Sequence, residues 1–88
     1  MAHILARLEG IQVEVLKSIL TADATQHARQ GMYLEHIWQN ADDNNEIFFL
    51  FRTSELVRAR QFIDKVHSQA LRENPHANLP QMTFLEEG

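Results

Sequence analysis

His36 and Trp38 are the residues best suited to chemistry in an apolar setting. An imidazole titrates near pH 6.5, so beside an indole in a hydrophobic pocket it could act as a general base. The alternative is that both rings pack, with their N–H groups bonded to carbonyl oxygens. If side chains alternate regularly along the strand that contains them, His36 and Trp38 both point toward the helices that are expected to cover the sheet. A shift of the register by one residue would reverse this.

Three further histidines, His27, His67 and His76, share no metal-ligand spacing with each other or with the imidazole above. We therefore predict no metal site and no cofactor. His67 borders an apolar helix stripe, where a single histidine could ligate haem, but the alternative is a partly exposed helix residue. The acidic run at 42–45 lacks the glycine turn and distal glutamate of a calcium loop. These patterns assign no catalytic residue.

Composition narrows the class of protein. The 88 residues suffice for one domain, 1–88, and the absence of cysteine excludes disulfides, iron–sulfur clusters and cysteine zinc sites. A net charge of −4 without a Lys/Arg block disfavours nucleic acid. No apolar run approaches the roughly 20 residues that span a bilayer, and Arg7 and Glu9 interrupt the N-terminal candidate for a signal peptide. We expect a soluble, cytoplasmic protein without membrane contact.

The clearest structural signal is a hairpin. Strand-like runs near 32–39 and 46–52 flank a polar connector at 40–45, which predicts a long solvated tip. The second run is apolar on both of its alternating faces. Helices can bury one face of such a strand, but burying the other requires a pocket or a second copy of the protein.

Strands and helices are predicted on both sides of the hairpin from the change in hydrophobic period. The two further strands are predicted at 3–9 and 81–86. The first helix begins at Ile11, is interrupted near 21–24 and is capped by Gly31. The second helix is capped by Thr53 or Ser54 and ends at Asn74 and Pro75. The buried stripes are predicted to be Val13, Leu16, Leu20, Ala24 and Ala28 in the first helix, with Ile19 beside them, and Leu56, Ala59, Ile63, Val66 and Ala70 in the second, joined by Phe62 and Leu71.

The element order is β-α-β-β-α-β, in an α+β fold with an antiparallel sheet. Right-handed crossovers and the hairpin favour the strand order 4-1-3-2. The third strand is the most apolar and should be central, whereas the second, which carries Glu35 and Gln39, suits an edge. Two helices then cover one face of the sheet and leave the other open.

The open face of the predicted sheet is the candidate site. If the more apolar alternation faces the helices, the open face receives His3 and Arg7 from the first strand, Tyr33, Glu35, Ile37 and Gln39 from the second, and Phe48, Leu50 and Arg52 from the third. An apolar cleft with a few polar groups is typical of small-molecule sites. The alternative is that Phe48 and Leu50 fill a dimer core while Arg7, Glu35 and Arg52 pair across it or at its rim. With the shifted register included, the candidate cavity-lining residues are His3, Arg7, Tyr33, His36, Trp38, Phe48, Leu50 and Arg52.

An RNA-recognition module has the same element order and reads bases with strand aromatics. The third predicted strand lacks the basic residue and glycine that open that motif. The negative net charge also disfavours RNA, so we set this function aside.

The hairpin at 36–51, the helix start at 56–63 and the last strand at 80–87 resemble those of the dimeric α/β-barrel superfamily, in particular its small cyclase- and monooxygenase-like members of unassigned activity. The resemblance implies ferredoxin-like subunits that pack their open sheet faces together as a homodimer and enclose a chamber. It carries over no catalytic residue.

Together, the residues and the resemblance favour a protein that binds a small apolar or aromatic molecule in the cavity between the two sheets. Cyclase- or monooxygenase-like chemistry is then the expected activity. The alternative function is a non-catalytic module that assembles with itself or with another protein.

Overall fold

The computed structural model describes residues 1–87. The strands are β1 (Ala2–Glu9), β2 (Met32–Asn40), β3 (Asp43–Thr53) and β4 (Gln81–Glu86), and the helices are α1 (Val13–Ala22), α2 (Ala24–Arg29) and α3 (Leu56–Glu73). The strands form an antiparallel sheet in the order β2-β3-β1-β4. This is the predicted order 4-1-3-2 seen from the other edge. The α+β ferredoxin-like arrangement, with β3 central and β2 at an edge, is therefore confirmed.

The predicted first helix is split at Asp23, within the expected interruption. The two leucines of α1 are buried as predicted, but Ala24 and Ala28, which should have continued their stripe, are exposed. The break rotates α2 relative to α1, and the half-buried side chain in α2 is His27 instead. A histidine thus takes the inward position that the sequence pattern assigned to alanine.

The hairpin is tighter than predicted. Only Ala41 and Asp42 separate the two strands, so the long tip expected over 40–45 is wrong. Side chains bond to the backbone around this turn. The Asn40 Oδ1 accepts from the Asp42 N–H at 2.9 Å, and the Asp43 Oδ1 accepts from the Asn45 N–H at 3.0 Å. Such local bonds satisfy the backbone of a polar segment and let the strands reach the turn.

The start of α3 also differs from the prediction. Glu55 is the residue before the helix and makes no capping bond with its side chain, and Thr53 still belongs to β3. The Thr53 Oγ1 accepts a hydrogen bond from the Glu55 N–H at 3.1 Å. The predicted cap at Thr53 or Ser54 is therefore wrong, because the threonine is fully buried in the sheet and stabilises the turn that leads into the helix.

The core lies between the helices and one face of the sheet. Ala59 and Ile63 supply the buried part of α3, but Val66 and Leu71, predicted in the same stripe, are exposed by 42% and 44%. Val66 borders a cavity described below, and Leu71 lies in the last helical turn. The buried hydrophobic residues are Ile4, Ala6, Leu8, Leu16, Leu20, Met32, Ile47, Phe49, Phe51, Ala59 and Ile63.

Candidate functional site

The face of the sheet opposite the core carries all eight residues predicted as candidates. Residues paired across neighbouring strands share a face, so the pairing defines this surface, here called the open face. From β2 to β4 it has three rows: Tyr33, Arg52, His3 and Leu85; His36, Leu50, Leu5 and Thr83; and Trp38, Phe48, Arg7 and Gln81. That these residues line a cavity stays a prediction, because only a second layer over the open face would enclose them.

A β-bulge in β2 shifts the alternation of that strand by one residue. Leu34 pairs with Phe51 and His36 pairs with Leu50, so Glu35 is an additional residue between two consecutive pairs. Such an extra residue bends the strand and changes which side chains share a face. The strand therefore follows one alternation before the bulge and the other after it.

The bulge decides where the aromatic residues of β2 lie. Tyr33, before it, and His36 and Trp38, after it, are all on the open face. Ile37 and Gln39 were predicted there but pair with the core-facing residues of β3, so they lie on the helix side. That part of the prediction is wrong because it assumed an uninterrupted strand.

Aromatic rings on the open face pack against neighbouring side chains. The rings of His36 and Trp38 are stacked, with centroids 4.8 Å apart and planes 19° apart. The Arg52 guanidinium lies over the Tyr33 ring, 5.0 Å from its centroid. Trp38 is nevertheless 47% exposed and Tyr33 43% exposed. These contacts order the rings and still leave a large apolar area in contact with solvent.

One end of the open face carries a cluster centred on Glu35. The His3 Nε2 lies 3.1 Å from one Glu35 carboxylate oxygen, and the Arg52 Nε lies 3.8 Å from the other. The alternation that places Tyr33 on the open face also places this carboxylate there, as predicted. The sequence-based alternative had the charged residues pairing across a dimer or at its rim, and here Glu35 pairs with His3 and Arg52 within one chain.

The opposite end carries a second cluster, centred on Glu46. The Arg7 Nε donates to the Glu46 Oε2 at 2.6 Å, and Asn40 Nδ2 donates to the Glu46 Oε1 at 2.8 Å. These two hydrogen bonds lower the pKa of the Glu46 carboxyl, and the bond from Asn40 has the larger effect. The hydrogen bond to Glu46 raises the pKa of the Arg7 guanidinium. Arg7 also pairs with Glu9. Each end of the open face thus holds an arginine beside carboxylates.

A cavity of about 250 Å³ lies on the other side of the sheet, under the helices. Ile19 from α1 and Val66 from α3 line it and are 46% and 42% exposed, so it opens to solvent between these helices. The apolar wall consists of Leu8, Ile11, Leu16, Ile19, Leu20, Met32, Phe49, Phe51, Phe62, Ile63, Val66, Pro80 and Met82. We call this space the helix-side cavity.

Two imidazoles line the helix-side cavity, one from α2 and one from α3. The His27 ring packs edge-on against Phe51 and Phe62, with centroids 5.2 Å and 6.3 Å away. Burial lowers the pKa of His27 below its ordinary 6.5, partly opposed by the Asp23 carboxylate. Burial likewise lowers the pKa of His67. Both rings are therefore predominantly neutral at pH 7.

The remaining polar groups of the helix-side cavity are Asp23 and Asn78. The Asn78 Nδ2 donates to the backbone oxygen of Glu9 at 2.6 Å, which ties the segment before β4 to the end of β1. Among the described residues that line this cavity there is no lysine, arginine or hydroxyl side chain. A small number of convergent polar groups in an apolar concavity is the usual composition of a ligand site.

This cavity was not predicted from the sequence. His27 was weighed as a metal ligand, and His67 as a haem ligand or a partly exposed helix residue. Within residues 1–87 no three His, Asp or Glu side chains come together as a metal site. The available signal was the helix interruption near Asp23, which turns His27 inward.

No helix in residues 1–87 is long and apolar enough to cross a membrane.

Comparison with known proteins supports the fold. No family model and no curated protein matches the sequence. The chain is similar to the crystal structure of a candidate antibiotic biosynthesis monooxygenase from Deinococcus radiodurans, with a TM-score of 0.63 and 14% sequence identity. The match covers 100% of this chain and 93% of that one. This chain therefore shares the ferredoxin-like fold of that protein, as the resemblance of its sequence indicated.

Proposed function

We propose that this protein binds a small aromatic molecule in the helix-side cavity. The observation that carries the proposal is an apolar space between α1, α3 and the sheet that receives two half-buried imidazoles. We prefer this location because a single chain already forms the helix-side cavity, and the chamber between two sheets favoured by the sequence stays a prediction. The absence of cysteine is compatible with the cytoplasm as the proposed location.

The cavity volume limits the size of the ligand. An apolar cavity of about 150 Å³ accommodates benzene. The present cavity of about 250 Å³ therefore suits a molecule with one or two fused rings. The phenylalanines of the wall supply the ring faces and edges against which such a molecule stacks.

The proposed activity is cyclase- or monooxygenase-like. The Deinococcus protein with this fold is described as a candidate monooxygenase, which supports oxygenase-type chemistry. A neutral imidazole in an apolar pocket can accept a proton from an acidic hydroxyl group or carbon atom of a bound molecule. His27 is the more buried of the two lowered-pKa histidines and is our candidate for that role.

Binding is tested by titrating the protein with 2-naphthol while recording amide NMR spectra. We expect shifts at cavity residues and saturation at micromolar to millimolar concentration. Val66→Trp should weaken binding at least tenfold, because a large ring at the rim obstructs the opening. Val57→Trp is the matched control, since this residue of α3 is 72% exposed and does not line the cavity. Absence of shifts at cavity residues in the unmodified protein would contradict the proposal.

We also propose that the open face binds a second copy of the chain. It exposes Trp38, Tyr33 and Leu85 by 40% or more around half-buried Leu5 and Leu50. In a two-fold dimer the same surface occurs on both sides of the interface. Each end of the open face carries an arginine already paired with a carboxylate, so a reversed second copy meets no unpaired charge there.

The alternative function, a non-catalytic assembly module, would use only this surface. Self-association without ligand binding in the helix-side cavity would favour the module. Native mass spectrometry of freshly purified protein distinguishes the two, because a retained small molecule supports the ligand-binding function.

A further inference from the structure

The polar groups of the helix-side cavity differ in what they offer to a ligand. Asp23 supplies a carboxylate, and neutral His27 and His67 each supply one acceptor nitrogen and one N–H. One N–H of the Asn78 amide already donates to the Glu9 carbonyl, so its oxygen and its second N–H remain. Acceptors therefore outnumber donors in the described wall.

The Asp23 carboxylate is free to act on a ligand. It lies at the junction of α1 and α2, and its side chain makes no capping bond to either helix. Its charge is felt inside the cavity, where it partly opposes the lowering of the His27 pKa by burial. A carboxylate beside an apolar wall repels an anion more strongly than it would in water.

No cation in the described wall compensates for that repulsion. The lining residues include neither lysine nor arginine, whereas the open face carries both of the paired arginines described above. Moving an anion into an apolar site without a counterion is strongly unfavourable. The helix-side cavity therefore disfavours a negatively charged ligand.

We propose, on the basis of the proposed ligand-binding function, that the helix-side cavity selects uncharged or cationic aromatic molecules that donate hydrogen bonds and rejects carboxylates and other anions. Asp23 is the specificity-determining residue against anions. The ligand's O–H or N–H groups bond to the acceptors supplied by Asp23, Asn78 and the two histidines.

Three naphthalene derivatives with the same ring system test this selectivity in the full-length protein at pH 7. The probes are 2-naphthol, which is neutral and donates a hydrogen bond, 2-methoxynaphthalene, which is neutral and does not donate, and 2-naphthoate, which is an anion. Dissociation constants are measured by NMR titration. We expect 2-naphthol to bind about two- to tenfold more tightly than the methoxy compound, and 2-naphthoate to bind more than tenfold more weakly than 2-naphthol.

Asp23→Asn removes the charge and retains a residue that suits helix junctions. We expect it to reduce the discrimination against 2-naphthoate at least fivefold and to leave 2-methoxynaphthalene affinity unchanged. Asp42→Asn is the control, because Asp42 is an exposed residue of the hairpin turn that does not line the cavity.

The outcomes separate this inference from the function on which it rests. Equal affinities for 2-naphthol and 2-naphthoate in the unmodified protein would overturn the selectivity and leave aromatic binding intact. Equal affinities for the hydroxy and methoxy compounds would overturn the donor requirement. If none of the three probes binds, the proposed function fails and the selectivity fails with it. The unmodified protein alone decides these cases, even if the Asp23 variant does not fold.

Discussion

The two faces of the sheet are made from similar residues but have different physical characters. Phe48 and Phe49 are neighbours in β3. Phe49 is 4% exposed beneath the helices, whereas Phe48 is half-buried on the open face. The helix side has a closed core and an apolar cavity whose wall includes the Asp23 carboxylate. The open side has exposed aromatic rings and arginines that are paired with carboxylates. The centre of β3 is thus apolar on both faces, and there only the packing of other elements distinguishes a core from a surface.

The largest effect that sharpens this comparison is expected from truncating the two phenylalanines separately. Phe49→Ala should lower the free energy of unfolding by about 3–5 kcal/mol, because it leaves a void in the core. Phe48→Ala should lower it by only about 1 kcal/mol in dilute solution. Urea denaturation measures both values. Phe49→Leu replaces the alanine variant if the latter does not fold, and equal losses for the two positions would contradict the assignment of faces.

A charge on the open face is the next largest expected effect. Leu50→Glu should weaken self-association about thirtyfold or more, because it buries an unpaired carboxylate in the proposed interface. Sedimentation velocity over a concentration series measures this. Val57→Glu is the matched control, since it adds the same charge at a 72% exposed position on α3.

The result for the unmodified protein also tests the dimer. A single-subunit sedimentation coefficient at the highest concentration, unchanged by Leu50→Glu, would show that the open face does not self-associate.

A smaller effect is expected at the buried threonine of β3. Thr53→Val should lower the free energy of unfolding by about 1 kcal/mol, because it leaves the Glu55 N–H without its acceptor. Thr83→Val, at an exposed site on the open face, should change stability little. Thermal or urea denaturation of both variants measures the difference, and equal stability of the two would remove the structural role assigned to the threonine bond.

The smallest expected effect is on the pH dependence of stability. As the pH falls through 6.5 the unfolded chain protonates His27 and His67, whereas the folded chain binds these protons only at lower pH. Stability should therefore decrease on acidification below about pH 6.5. The double variant His27→Gln and His67→Gln should flatten this slope. The control His76→Gln, at an exposed loop position, should keep it.

Glu46 titrates in a separate window. Its folded-state pKa is lowered from 4.5, so its contribution is present above that pH and is lost only at more acidic values. A slope between pH 5 and 7 that the histidine variants do not alter would contradict the assigned origin.

The regular parts of the fold were predictable because burial alone sets their pattern. The alternation in β1 placed Ile4, Ala6 and Leu8 toward the core, and the apolar β3 indicated a central strand, and both are observed. The bounds of β4 were also predicted, because Pro80 and the polar segment before it separate the strand from α3. These features depend on nearest neighbours along the chain.

The bulge and the helix-side cavity were not predictable for a different reason. The additional residue Glu35 occurs in an alternating segment without a glycine, so the sequence gives no local signal of it. The cavity depends on how far α1 and α3 lie apart, which only tertiary packing determines. Predicting the inward position of His27 would have required both the helix break and the orientation of the six residues that follow it. The open-face residues of β1 and β3, in contrast, were found because they needed only an uninterrupted alternation.

The position of Trp38 has a practical consequence. It is the one tryptophan of the chain, and it lies on the open face, across the sheet from the helix-side cavity. Its fluorescence should move to shorter wavelength when a second subunit covers the stacked indole and should respond little to a molecule that enters beneath the helices. The protein would thus carry an intrinsic optical reporter of the proposed self-association, on the face of the sheet opposite the proposed ligand site.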